Sequence, residues 1–158
     1  MGDALFTGRI EIRLSESVKA SCPLREGEKV LKALLADILC LDPEAKRDHQ
    51  TVILVITDCR ILVVETKKNI IFYPNFQVGS MQRSIELGEI VSMQEREIGM
   101  VTIGDVVVSE GDPLVLLELW EVARFEGLKI MRGRKVPHAS FLYSLQMLAD
   151  SLSRSADR

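Results

Sequence analysis

The chain has 158 residues, 47% hydrophobic and 27% charged, with 20 basic against 23 acidic side chains and a net charge of −3. That composition excludes global disorder, and a single domain of this length buries roughly two-thirds of the surface its unfolded chain exposes. The slight acidity and the 5% aromatic content speak against a nucleic-acid binder built on basic saturation or on base stacking.

Residues 8–14 (GRIEIRL) alternate Ile10, Ile12 and Leu14 with Arg9, Glu11 and Arg13, the period-two pattern of a half-buried strand. Residues 24–43 follow a polar connection. Their Ala, Leu, Glu and Lys content, with Val30, Leu31, Leu34, Leu35 and Ile38 at helical spacing, favours a helix over 26–41. A long strand with a bulge is the alternative. Residues 42–50 (DPEAKRDHQ) read as a polar loop. Residues 51–65 (TVILVITDCRILVVE) then carry two Val- and Ile-rich runs, 52–56 and 61–64, around the break Thr57-Asp58-Cys59-Arg60. Branched side chains suit a pleated surface and Asp favours a tight turn, so this stretch reads as a buried β-hairpin.

Residues 66–69 read as a turn, 70–73 as a short apolar run stopped by Pro74, and 74–82 as loop. Residues 84–93 (SIELGEIVSM) read as a strand bent at Gly88. The runs 98–103 and 106–109, split by Gly104-Asp105, suggest a second hairpin. Glu110-Gly111-Asp112-Pro113 reads as a turn or a helix start. For 113–126 two readings stay open: a helix capped by Asp112 with Pro113 at its first position, or a strand from Leu114. A short strand at 127–131 precedes the basic run Arg132-Gly133-Arg134-Lys135. Pro137 then opens an amphipathic helix to about Leu152, with Phe141, Leu142, Leu145, Leu148 and Ala149 on one face. Residues 153–158 form a polar tail.

Cys22, Cys40 and Cys59 form no CxxC pair, and His49 and His138 lie far apart, so no zinc spacing exists and reduced thiols in a cytoplasmic protein are expected. No basic region followed by an apolar core opens the chain, and Phe6 stands where a myristoylation motif needs Ser or Thr, so neither signal peptide nor lipid anchor is expected. GxSxG, HExxH, GxxxxGK[ST] and GxGxxG motifs are lacking, and single carboxylates such as Asp37, Asp58 and Glu118 have no second group at informative spacing. A non-enzymatic protein without cofactor or catalytic residues is expected.

The segment REGEKV at 25–30, the hairpin VILVITDCRILVVE at 52–65, the strand SIELGEIVSMQ at 84–94 and the closing amphipathic helix occur in an order that resembles the pleckstrin-homology-like superfold, especially its GRAM and myosin-I tail-homology variants. The resemblance covers residues 24–152 of a single domain and rests on short hydrophobic motifs. It implies a mainly β fold of two orthogonal antiparallel sheets, seven strands in all, closed at one end by the C-terminal helix. It also implies that residues 30–41 form the first strand, and that residues 8–14 add an extra one. Residues 120–129 depart from the usual pattern.

Two functions follow from the resemblance. The first is an adaptor module that binds a protein partner within a trafficking, cytoskeletal or signalling assembly, through a sheet edge or helix groove. Phe72, Tyr73 and Phe76 around Pro74 are candidates for an exposed anchor, the alternative being that they cover one end of the core. The second is binding of phosphoinositide or another anionic lipid. Lys46, Arg47 and His49 before the hairpin, Lys67 and Lys68 after it, and Arg132, Arg134 and Lys135 are the headgroup candidates. The acidic balance and the dispersed basic residues favour the first. Either places the protein in the cytoplasm, peripheral at a membrane or the cytoskeleton, with homo-oligomerisation through an edge strand left open.

Overall fold

The structure, a computed structural model, describes residues 22–40, 44, 48–68, 75–126 and 129–156. Among these residues the chain is mainly β: eight antiparallel strands in one sheet, followed by one helix. The strands are β1 (Val30–Leu39), β2 (His49–Thr57), β3 (Arg60–Lys68), β4 (Asn75–Glu86), β5 (Ile90–Ile98), β6 (Val101–Val108), β7 (Leu114–Glu126) and β8 (Lys129–Lys135), and α1 is His138–Ala156.

The hairpin expected at 51–65 is β2–β3, with Leu54 opposite Val63 and Asp58-Cys59 in the turn. Its runs lack alternation because both faces are covered, as is usual for continuous apolar strands. Val52, Leu54, Ile56, Ile61 and Val63 join one core cluster, together with β6, β7 and α1. Ile53, Val55, Leu62 and Val64 join a second, which also takes Leu35, Phe76, Trp120 and Ile130. Hydrogen bonding runs β1-β2-β3-β4-β8-β7 and returns from β7 to β1, so six strands form a closed circuit. The second cluster draws residues from each of those six strands. Helix α1 lays Phe141, Leu142 and Leu145 into the first, where full burial of each stabilises by roughly 1.5–3 kcal/mol.

Several expectations are corrected. The helix favoured over 26–41 is instead β1, pairing with β2 on one edge and β7 on the other. Ala33, Leu34, Leu35 and Ala36 are buried in succession. A strand covered on both faces satisfies a helical count as readily as a strand count, and only its two ladders decide. The helical alternative for 113–126 likewise gives way to β7, which pairs with β1, β6 and β8. The loop expected at 74–82 belongs mostly to β4, where Gly79 accepts the close approach of Glu65 in β3. The strand expected at 84–93 is broken by a 3₁₀ turn at Leu87–Glu89.

The second hairpin turns at Gly99-Met100, and β6 runs unbroken through Gly104 and Asp105. Gly99 has φ +63° and Met100 does not share the positive φ, the type II′ pattern of a two-residue hairpin. Gly104 serves packing instead: the His138 ring and Leu142 lie 3.3 and 3.4 Å from where its Cβ would stand. The final strand extends to Lys135 and so absorbs the basic run. The strand expected at 8–14 lies outside the described residues. No helix among the described residues is long and apolar enough to cross a membrane.

Candidate functional site

The motif residues behind the resemblance meet in a buried polar clasp. The Glu28 backbone N–H donates to the Arg25 carbonyl at 3.0 Å and Gly27 has φ +80°, which is a type II turn over residues 25–28. The turn delivers Glu28 to Arg60, which donates through Nε and Nη2 at 2.8 and 2.9 Å. Thr57 Oγ1 and Cys59 Sγ also donate to this carboxylate, at 2.7 and 3.0 Å. Arg60 further donates to the Pro23 carbonyl at 2.9 Å, and Arg25 pairs with Glu86 above it. Glu28, Asp58 and Cys59 place donor atoms within 4.8 Å of one another. With Arg60, Thr57 and Cys59 already on Glu28, the group acts as a structural lock between the segment before β1 and the β2–β3 turn.

Of the lipid-headgroup candidates, Lys46 and Arg47 lie outside the described residues, as do Phe72 and Tyr73. His49 opens β2 and Lys67 lies near the end of β3, both exposed, at the same end of that hairpin. Lys68 ends β3. The three candidates on β8 each meet a separate partner. The Arg132 guanidinium stacks 4.0 Å from the centroid of the Trp120 ring and 5.8 Å from that of Phe76. Arg134 faces Glu121 at 3.5 Å, and Lys135 faces Glu118 at 3.6 Å. Arg132 is thus turned onto the aromatic pair, while Arg134 and Lys135 stay largely exposed, each facing an acidic residue of β7. Phe76, considered as an exposed anchor, is fully buried in the second core cluster, because its β4 position faces Trp120 and Ile130.

The exposed apolar groups stand elsewhere. β5 pairs only with β6, so its outer edge has no strand partner among the described strands. Val91 and Ile98 on β5, Met100 in the turn and Val101 on β6 are exposed, Met100 fully. Sequence reading missed this surface because Ile98 and Val101 look like core residues until the hairpin is seen to project.

A cleft of about 540 Å³ opens beside that hairpin. Its origin lies in β7, one edge of which is shared by two strands. β6 pairs with Leu114 to Leu116, and β8 begins only at Trp120. The gap is bridged by the chain leaving β8: the Val136 backbone N–H donates to the Leu119 carbonyl at 2.8 Å and His138 Nε2 to the Leu116 carbonyl at 3.1 Å. A carbonyl can only accept, so the Nε2–H form of His138 makes this bond. Leu117, Val136, Pro137 and His138 line one side of the cleft, Met100, Val101 and Thr102 the other, and Glu95, Glu118 and Lys135 supply charge. No family model and no curated protein matches the sequence.

Proposed function

We propose that the chain is a non-enzymatic, pleckstrin-homology-like adaptor module that docks a protein partner on the β5–β6 hairpin. The observation that carries this reading is the coincidence of the free β5 edge with exposed Val91, Ile98, Met100 and Val101. An unpaired edge offers main-chain hydrogen bonds to an incoming segment, and neighbouring apolar side chains supply the area to hold it. The pleckstrin-like assignment is supported by the Glu28–Arg60 clasp, which joins the two motif segments, and by the closing helix over one core cluster. The eight described strands stand against the seven of the resemblance.

The competing reading, recruitment by anionic lipid, is weakened by the partners held by Arg132, Arg134 and Lys135. Photo-crosslinking in cells from a probe at Val91 or Ile98 tests the proposal. Crosslinks to a discrete protein, lost in a Val91→Lys/Ile98→Lys variant, are expected. Absence of such crosslinks, together with co-sedimentation on phosphoinositide vesicles that Arg134→Glu abolishes, would replace it with the lipid reading.

A further inference from the structure

We infer that the cleft between the hairpin tip and the start of α1 receives an extended segment of a partner protein in which an apolar side chain lies next to a lysine or arginine. This rests on the hairpin being an interaction surface, and adds where the partner's anchor sits and what chemistry it has. The volume, about 540 Å³, falls within the roughly 300–1,000 Å³ of sites that hold a ligand. Leu117 and Pro137 on one side, and Met100 and Val101 on the other, give an apolar slot. Because β7 changes partners at this point, the slot follows from the strand order, with Met100 of the β5–β6 turn and Pro137 of the connection between β8 and α1 closing its sides.

Charge decides the rest of the ligand. The two described cations at this end of the sheet are neutralised within the fold: Arg96 donates to Asp105 at 2.5 Å and Lys135 faces Glu118 at 3.6 Å. Glu95, on the cleft, and Glu97, two positions along β5, are exposed and have no ion-pair partner among the described residues. The potential offered beside the apolar slot is therefore negative, which favours a basic neighbour to the anchor and disfavours an acidic segment or an anionic bilayer. A second copy of this chain would bring the same uncompensated carboxylates to the contact, so a basic partner fits better.

The test is selection of a random twelve-residue phage-display library against the full chain, followed by fluorescence anisotropy on the selected peptides. Peptides that combine an apolar residue with an adjacent Lys or Arg are expected. Their affinity should fall at least tenfold for Met100→Asp and for Glu95→Lys, and should stay unchanged for Lys67→Ala, at an exposed position on β3 outside the cleft lining. Both substituted side chains are exposed, so circular dichroism should show the fold intact. Enrichment of acidic peptides, failure to select any, or indifference of the selected peptides to both variants would overturn the assignment. So would a dimer in sedimentation velocity that Met100→Asp dissociates, since a second copy would then be the occupant. Peptides lost on Val91→Lys but kept by Met100→Asp would remove the cleft while leaving the adaptor reading in place.

Discussion

The Glu28 carboxylate and the Arg60 guanidinium form a bidentate ion pair at 2.8 and 2.9 Å, with side chains only 1% and 9% exposed. Thirty-two positions apart in sequence, they tie the turn before β1 to the turn between β2 and β3. Removing one partner strands a buried charge, and such losses run to about 3–5 kcal/mol, whereas replacing both with apolar groups is often nearly neutral. Glu28→Ala and Arg60→Ala should each lower the unfolding free energy from urea titration by an amount in that range, seen as a lower midpoint. The Glu28→Leu/Arg60→Met pair should recover most of it. If the single variants unfold at the wild-type midpoint, the clasp is not a stabilising element.

The same carboxylate sets a pH dependence. Burial pushes the Glu28 carboxyl up, but hydrogen bonds from Arg60, Cys59 and Thr57 outweigh burial and hold it well below the usual carboxylate range. A depressed folded pKa stabilises fully above the unfolded value, near ~4.3, and that contribution drains away as pH falls toward the folded value. Unfolding free energy should therefore drop on acidification from about pH 5 downward. Glu28→Gln, which cannot titrate, should show a shallower decline over that interval in denaturant titrations at several pH values.

Gly133 lies in β8 where a Cβ would stand 2.9 Å from the Glu121 carbonyl oxygen and 3.3 Å from Ala123. The nearest neighbour is backbone of the paired strand, so it cannot swing aside as a flexible side chain would. Gly133→Ala should cost about 1–3 kcal/mol, the usual range for overpacking. Gly88→Ala has open space at its Cβ position and should stay within about 1 kcal/mol of wild type. Thermal unfolding of the two variants side by side separates crowding from the general effect of replacing glycine.

Cys22 is buried in the second core cluster, and burial raises its thiol to about 11 despite the opposing field of Arg60. The thiolate is the reacting form, so little of it exists at pH 8. Iodoacetamide at that pH should leave Cys22 unmodified in the folded protein and modify it readily in denaturant, as read by peptide mass spectrometry. Rapid labelling of Cys22 without denaturant would place it outside the core.

Much of the fold was legible where local chemistry and tertiary context agree. The β2–β3 hairpin declared itself through branched residues around Asp58, and α1 through the stripe Phe141, Leu142 and Leu145 behind Pro137. Legibility failed where pairing with strands distant in sequence overrides local composition. Residues 30–39 carry Ala and Leu in a pattern that suits a helix, and become β1 because β2 and β7 both bond to them. Residues 75–82 look like a loop by composition, yet β3 supplies a ladder that extends β4 across them.

For the candidate site the division is sharper. Sequence pointed to the basic run at 132–135, since adjacent cations are visible in one dimension, whereas the glutamates that face Arg134 and Lys135 come from β7 across the sheet. It also offered Phe76 as an anchor, which burial removes from the surface.

By itself, then, the amino-acid order determined the β2–β3 hairpin and the closing helix, because these depend on propensity, periodicity and turn chemistry within a few residues. Only the tertiary structure decided that Glu28 reaches Arg60, that β5 keeps a free edge, and that β7 passes from β6 to β8 and leaves a cleft beside His138. Those features are set by hydrogen-bond partners distant in sequence. Which strand lies beside which is a property of the whole packed sheet, and no local pattern encodes it.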